Sequence, residues 1–470
     1  MVAMSDIPPR LVPLLAPGSP AQKVAAALTG AGYECYLVGG SVRDALVGRV
    51  RAEGPENDFA TDARPEAIEA LLRPIGHGVV LVGARFGTVS AIVDGVQCEV
   101  TTFRSDVYHP ESRKPEVVFG EDIETDLSRR DFSVNAMALR LPEPLLVDPF
   151  DGAIDLVERR LRTPIAPDVS FTDDPLRMLR AARFIAGFGL VPVPELVAAV
   201  GEHRGRLEIV SAERIRDELS KLLVVDDPGP GLWFLAQTKL ADEFLPELNA
   251  MQLEQDPIHH HKDVLAHTIA VVQKVSAKRV LRLAALLHDV GKPKTRSFEQ
   301  GRASFHHHEV VGARMARERL TALRYPKDVI EDVTQLVYLH LRIHTYAMGW
   351  TDSAVRRYVR DAGPLLDQLN ELQRGDCTTR NERKARALDR RMDDLEARIV
   401  ALAASEELKA IRPPLDGRQV MEFLGVAPGP VIGDALDFLL EARLDEGPID
   451  EVDAYERLRA WARERGIEPA

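Results

Sequence analysis

Gly39-Gly40-Ser41 closes the apolar run "YECYLVGG" and leads into "SVRDALVG", so a tight turn is expected between a strand and a helix. At such a junction backbone N–H groups and the positive helix end can hold the oxygens of a triphosphate. Any strand-to-helix turn favours glycine for its backbone freedom, so the turn alone is weak evidence. Its company says more: Arg43 stands one turn into the helix, Glu56-Asn57-Asp58 follows downstream, and Glu99 is expected on a polar strand face. Three carboxylates beside a phosphate cradle are what two divalent ions need to drive in-line displacement at phosphorus.

Histidine marks a second concentration of chemistry, because ten of the thirteen fall between His259 and His344. His288 and Asp289 are adjacent, preceded by "AALL" and followed by Gly291-Lys292, and burying two such polar groups requires a partner such as a metal ion. Together with His267 and Asp376 they resemble the H…HD…D pattern of HD-domain phosphohydrolases, which implies a divalent metal of unspecified identity held by these four residues. His308 and His340 are candidates for a second ion, whereas His259, His260, His261, His306 and His307 are equally consistent with exposed side chains.

The elements that must position these groups are legible from pattern. "RPEAIEALL" reads as an amphipathic helix starting beside a proline. "GTVSAIVDGVQCEVTTFR" reads as two strands joined at Asp94-Gly95, with Cys98 and Val100 on one face and Gln97, Glu99 and Thr101 on the other. "RRDFSVNAMAL" gathers Arg129, Arg130, Asp131 and Asn135, which in isolation is a charged turn before a buried helix. In "TDDPLRMLR", Asp174 precedes a proline at the first helical position and Arg177 follows three residues on, so an N-cap and an i,i+3 ion pair between the two are expected. From there on the pattern is almost wholly helical, including "SAERIRDELSKLL".

Bulk composition narrows the function class. A chain of 470 residues calls for several domains, and no apolar run approaches the length of a membrane span. Cys35, Cys98 and Cys377 form no paired pattern, and the N-terminus has no basic-then-apolar leader, so a reducing cytoplasm is expected. The net charge of -13 argues against coating nucleic acid by bulk electrostatics, so contact with RNA must be local. Arg380 to Arg391, "RNERKARALDRR", is the best basic stretch; it either tracks a phosphate backbone or is a solvated helix face, since acidic "MDDLE" follows at once.

In order along the chain, "LVGGSVRDALVGR", "DFATDARP", "GARFGTV", "CEVTTFR", "RRDFSVNAMAL", "DPFDG" and "DDPLRMLRAARF" resemble the motifs of class II tRNA nucleotidyltransferases, the CCA-adding enzymes of the DNA polymerase beta superfamily. "LLHDVGK", "FHHHEVVGA" and "DCTTRN" extend the resemblance to the actinobacterial branch that carries an HD domain. It implies an α+β fold: a small nucleotidyltransferase head with a mixed or antiparallel sheet (29–152), after a leader and helix (1–28), then an all-α neck with the nucleotide-selecting motif (153–250), an HD domain (251–380) and a helical tail (381–470). It further implies that Gly39, Gly40, Ser41 and Arg43 hold the triphosphate, that Arg129 and Arg130 meet phosphates with Asn135 beside them, and that Asp131 meets the ribose hydroxyl. Asp174 and Arg177 stand as a protein template for the base edge, with Arg180 and Arg183 as further nucleotide contacts, CTP and ATP as substrates, the tRNA 3′ end as acceptor and Mg2+ in the head.

One departure stands out. The family pattern places an Asp-x-Asp pair after a shorter loop, and here Asp58 matches the second member while Glu56 falls in the place of the first. Either the longer loop re-aims the backbone, or Glu53 or another group completes the metal site, or the site is impaired. The alternatives to CCA addition are therefore poly(A) polymerase, a partial enzyme adding only CC or A, an HD phosphohydrolase whose head only binds RNA, and a non-catalytic tRNA-binding protein.

Overall fold

The computed structural model describes residues 8–49, 56–82, 87–109, 112–120, 122–256, 261–299, 302–343, 346, 349–377, 382–406 and 411–469. The chain divides into two compact units, Met1–Asn249 and Ala250–Ala470. In order, the first contains α1 (Pro20–Gly30), β1 (Cys35–Val38), α2 (Gly40–Val47), β2 (Glu56–Thr61), α3 (Pro65–Leu72), β3 (His77–Val82), β4 (Thr88–Val93) and β5 (Val96–Thr102). A separate hairpin of β6 (Arg104–His109) and β7 (Ser112–Phe119) follows, then α4 (Ile123–Ser128), β8 (Ala138–Leu141), β9 (Leu145–Val147) and α5 (Gly152–Val157). Helices then dominate: α6 (Pro167–Asp173), α7 (Leu176–Phe188), α8 (Pro194–His203), α9 (Ala212–Leu223) and α10 (Gly229–Gln237).

The head is built on a seven-stranded mixed sheet in the order β3-β4-β5-β2-β1-β8-β9, in which only β2 and β5 pair in parallel. The expected hairpin forms between β4 and β5, with Asp94 at φ 50° and Gly95 at φ 81°. That double positive φ matches the twist of the flanking strands. Strand alternation then sorts the side chains. Cys35 and Leu37 of β1 enter a core with Val24, Leu28, Phe59, Ile68 and Leu72, whereas Tyr36 and Val38 enter a second core with Ala60, Phe103 and Leu127. Leu11, Leu15 and Leu28 belong to the first core, so the described N-terminal stretch is part of the head's interior.

Asp58 shares strand parity with Ala60 and is paired across the ladder with Glu99. Residues facing each other across a ladder project to the same sheet face, so both carboxylates lie on the side of the second core, away from α1 and α3. Their position is a consequence of period-two alternation, not of a loop.

The second unit is helical with short hairpins. It holds α11 (Val264–Lys274), α12 (Arg279–Leu287), α13 (His308–Ala322), α14 (Lys327–Leu339), α15 (Asp352–Ala362), α16 (Leu366–Asp376) and α17 (Glu382–Ser405). Last come α18 (Gly417–Leu424), α19 (Pro430–Glu446) and α20 (Glu451–Glu464), which bury Val420, Leu424, Leu439, Leu458 and Trp461 around their own core. Asp416 starts α18 with a capping box completed by Gln419. Among the described residues no helix is long and apolar enough to cross a membrane.

Helix packing in the first unit depends on one glycine. A Cβ on Gly231 of α10 would stand 2.5 Å from the Ala182 carbonyl oxygen of α7 and 2.6 Å from Leu222 Cδ1 of α9. Gly231→Ala should therefore force α10 outward at about 1–3 kcal/mol, and the thermal transition of this unit should fall by at least about 2–4 °C; an unchanged midpoint would show that the three helices do not pack this tightly.

Candidate functional site

β1 is followed by Gly39, whose backbone (φ 66°, ψ −128°) turns the chain into α2 without a side-chain cap. A Cβ here would come within 2.9 Å of Arg130 Nη1 and 3.9 Å of Asp58 Oδ2. Glycine is thus required by its φ, with the Arg130 guanidinium tip and the Asp58 carboxylate close beside it. The turn, an arginine and a carboxylate are brought together as the sequence motifs imply.

Arg130 is held there by a residue that the motif reading did not single out. Asp126, in the last turn of α4 and 1% exposed, accepts Arg129 Nε at 3.1 Å and Nη2 at 2.5 Å, and Arg130 Nη2 at 3.1 Å. Arg130 Nε is buried without a hydrogen-bond partner. A donor in that state has free capacity for an incoming acceptor. Glu56 opens β2 opposite Gln97, two positions before Asp58; its side chain, like Glu53, lies outside the described residues. Gln97 Nε2 donates to Glu99 Oε1 at 3.1 Å, which fixes Glu99 beside Asp58's strand.

A buried chain of charges continues from α2. Arg43 gives Nε and Nη2 to Asp44 Oδ1 at 2.9 and 2.6 Å and Nη1 to Asn135 Oδ1 at 2.5 Å, with its guanidinium 4.3 Å from the centre of the Phe188 ring. Asn135 Nδ2 donates to Asp131 Oδ1 at 2.8 Å, and Arg180 grips Asp131 Oδ2 with Nε at 2.8 Å and Nη2 at 2.6 Å. Glu218 of α9 then takes Arg180 Nη1 at 3.4 Å and Arg183 Nε at 2.8 Å. Ser41, on the first turn of α2, is buried beside this chain. Although burial opposes its charge, Arg180 and the hydrogen bond from Asn135 hold the Asp131 carboxyl well below the usual carboxylate range.

The expected ion pair between Asp174 and Arg177 does not form. Asp174 accepts Leu176 N at 3.1 Å, as an N-cap should, but its other oxygen accepts Arg214 Nη2 at 3.1 Å. Arg177 is buried and donates instead to Ser170 Oγ at 2.8 Å and to the Arg129 carbonyl at 2.5 Å. Partners 40 and 48 residues distant have displaced the local i,i+3 pairing. Arg214, Glu218 and Ser170 carried no separate signal in the sequence, whereas Asp126 did: it stands three and four residues before Arg129 and Arg130, the spacing of helical neighbours.

In the second unit the metal-type residues converge. His267, His288 and Asp376 form one group with ligand atoms within 4.8 Å of one another, and Asp289, His308 and His340 form another. Asp289 joins them, with Oδ2 3.2 Å from His288 Nε2 and Oδ1 3.3 Å from His308 Nε2. Three imidazoles are oriented alike: Nδ1 of His288, His308 and His340 each meets the carbonyl three residues earlier, at 2.7, 2.8 and 2.6 Å. Such a contact fixes the tautomer and aims Nε2 inward. His340 Nε2 is buried without a hydrogen-bond partner, and His308 Nε2 has only the 3.3 Å approach to Asp289. His306 and His307 are exposed, and His259 and His260 lie outside the described residues.

The electrostatics call for a cation. Burial opposes a charge on His288, but Asp289 and Asp376 outweigh it and raise the imidazole to about 10. Burial and the neighbouring His288 push His340 down to about 3. A proton on His288 thus occupies a place between two carboxylates that a divalent ion fits, and the inward Nε2 atoms supply its remaining ligands. The six residues fit divalent metal binding.

Two outcomes follow. Asp131 has a folded pKa depressed below its unfolded value of about 3.9, so its contribution is present above that pH and lost as pH falls towards the folded value. The urea stability of the wild type over Asp131→Asn should be greatest near pH 6 and shrink below about pH 4 by roughly 1 kcal/mol per pH unit; a difference that grows on acidification would contradict the assignment. In the second unit, metal analysis of the full chain after loading with Mn2+ and desalting should show less bound metal in His308→Ala/His340→Ala than in the wild type, with a smaller rise in melting temperature on loading; equal content in both would exclude these two side chains as ligands.

Comparison with known proteins agrees with this geometry. The family descriptions "Poly A polymerase head domain", "Probable RNA and SrmB- binding site of polymerase A" and "HD domain" match residues 35–162, 191–252 and 258–405. An A-adding tRNA nucleotidyltransferase of Deinococcus radiodurans is 35% identical over 443 residues, spanning 91% of this chain and 95% of that protein. A CC-adding tRNA nucleotidyltransferase of Thermus thermophilus is 32% identical over 427 residues, spanning 88% and 90%. In fold, the crystal structure of the Bacillus stearothermophilus CCA-adding enzyme in complex with CTP is similar with a TM-score of 0.68 at 24% identity, covering 98% of this chain and 99% of that one. With its Gly39 turn, its arginine pair and its clustered histidines in these positions, the chain belongs to the tRNA nucleotidyltransferase family and carries an HD domain.

Proposed function

We propose that the protein adds C, C and A to the tRNA 3′ end from CTP and ATP without a nucleic-acid template. The observation that carries this reading is the approach of Arg130 and Asp58 to the Gly39 turn, with Glu99 next to Asp58 on the ladder. The carboxylates Asp58, Glu99 and Glu56 would hold Mg2+, which when bound neutralises charge on the triphosphate. Arg129 and Arg130 grip phosphate oxygens, and the α2 N–H groups of Gly40 and Ser41 add donors beside them. The 3′ hydroxyl of the tRNA attacks the α-phosphorus, a new O–P bond forms, and the bond to pyrophosphate breaks. Its proton passes towards the carboxylate cluster.

Selection of the base falls to Asp174 and Arg177. Each is anchored from outside the pair, by Arg214 and Leu176 N in one case and by Ser170 and the Arg129 carbonyl in the other. A carboxylate has acceptor capacity beyond two bonds and a guanidinium has five donors, so both can still meet the edge of cytosine or adenine. Asp131, kept ionised by Arg180, is an acceptor for a ribose hydroxyl. Arg43 reaches the nucleotide only through its remaining donors, because Asp44 and Asn135 occupy most of its fork.

In this scheme residues 29–152 are the transferring head, 153–250 the selecting neck, 251–380 the HD domain and 381–470 the tail. The HD cluster is a divalent-metal phosphohydrolase site for phosphomonoesters or cyclic phosphates. Unpaired Cys35, Cys98 and Cys377 accord with action in the cytoplasm. A restricted enzyme is the second reading, favoured by the similarity to A-adding and CC-adding proteins over nearly the whole chain.

One assay separates these readings: transcripts lacking CCA, or ending in C or CC, are incubated with the full chain, CTP, ATP and Mg2+. Completion of all three to CCA supports the leading reading; extension of the CC transcript alone, or a stop after CC, selects the restricted one. Asp58→Ala should reduce extension by at least about 10³-fold, the scale of a lost preorganised electrostatic group, and Glu56→Ala should cause a comparable loss if Glu56 shares the ion. Wild-type rates in Asp58→Ala would overturn the assignment of the site.

A further inference from the structure

α2 starts at the Gly39 turn and runs about 12 Å at 1.5 Å per residue. At its other end the first unit has a cleft of about 870 Å³, within the usual size of a small-molecule site. Its lining mixes two chemistries. Leu46, Leu156, Phe188 and Leu190 form an apolar wall contributed by α2, α5, α7 and the segment after α7. Arg10, Arg49 and Arg159 stand around that wall, and Asp226 is the one carboxylate among the described lining residues.

Two of these arginines are set by the ends of helices. Arg10 Nη1 donates to the Leu46 carbonyl near the end of α2 at 2.9 Å, and Arg49 Nη1 to the Gly187 carbonyl near the end of α7 at 3.1 Å. A guanidinium has five donors, so these contacts orient both forks without exhausting them. The Arg49 guanidinium also lies 4.9 Å from the centre of the Phe188 ring, which keeps it against the apolar wall.

Arg159 is placed by strain instead. It is exposed, stands two residues beyond α5, and has φ 54°, a backbone region uncommon for any residue but glycine. Its carbonyl accepts Val191 N at 2.7 Å, so this turn is pinned from the chain that follows α7. An arginine that costs backbone energy where glycine would cost none points to a use for its guanidinium.

Arginine forks meet phosphate oxygens bidentately, and the leucines and Phe188 can cover an apolar body attached to the anion. Three cations and one acid leave an excess of two positive charges, which matches the charge of a phosphate monoester near neutral pH. We propose that this cleft binds a small organic phosphate, a phosphate monoester with an apolar or aromatic body. The site is separate from the transfer and HD sites, and none of its three arginines belongs to either.

Titration of the full chain with phenylphosphonate, whose C–P bond a phosphohydrolase does not hydrolyse, should give a dissociation constant of about 1 mM or tighter. Arg159→Gly should weaken binding at least about tenfold. Its melting midpoint should stay within about 2–4 °C of the wild type, because glycine adopts this φ without strain. Arg159→Lys, which keeps the charge but not the fork, should recover part of the loss. Inorganic phosphate, lacking the apolar body, should bind at least about fivefold more weakly, and Arg130→Ala, at the nucleotide turn, should leave the phenylphosphonate affinity within about twofold. AMP identifies the body: binding tighter than phenylphosphonate and equally sensitive to Arg159→Gly makes the ligand a nucleotide, and weaker binding makes it a simpler phosphate ester. Equal affinity in the wild type and Arg159→Gly would overturn the inference, as would an equal loss in Arg130→Ala or inorganic phosphate that binds as tightly as phenylphosphonate.

Discussion

Asp126 is a carboxylate 1% exposed that neutralises two adjacent arginines, and the head depends on that arrangement. Burying one acid between two guanidinium groups ties the three together, because Asp126 left alone would be an uncompensated buried charge. Arg130 is thereby pressed against the Gly39 turn, and the turn in turn can only be glycine. The sheet delivers Asp58 and Glu99 to the same place by alternation. Arg130, in the turn after α4, thus meets Asp58 at Gly39, with Glu99 opposite Asp58 on the neighbouring strand.

The neck extends the same logic through charge rather than through apolar packing. Asp131 and Glu218 take up Arg180 and Arg183, and Asn135 carries the chain back to Arg43 in α2. Arg43, Asn135, Asp131, Arg180 and Arg183, well separated in sequence, are joined with Glu218 in one hydrogen-bonded network. Such networks are worth most when every member is satisfied, which makes single substitutions costly at a distance. The HD unit uses a different solution: imidazoles held from behind by carbonyls, with Asp289 in contact with His288 of one group and His308 of the other.

Much of this was legible in sequence where the signal was local. Asp94-Gly95 announced its hairpin because the turn chemistry and the flanking alternation lie within a dozen residues. The six metal-type residues of the HD unit were recognisable because few other roles bury a histidine next to an aspartate. Asp174 and Arg177 were misread as a pair, since a helical spacing rule knows nothing of Arg214 or Ser170. Glu218 looked like one more polar residue of an amphipathic helix, and only the fold reveals it as buried between arginines.

The most direct test of the central claim is the steady-state response of Asp126→Asn to CTP and ATP. Losing the charge should release the arginine pair, raising the KM for both nucleotides at least about tenfold, the equivalent of about 1.4 kcal/mol, while Asp126→Glu restores part of the loss. A KM equal to that of the wild type in a folded Asp126→Asn protein would contradict the account, because Arg130 would then hold its place over Gly39 without the acid beside it.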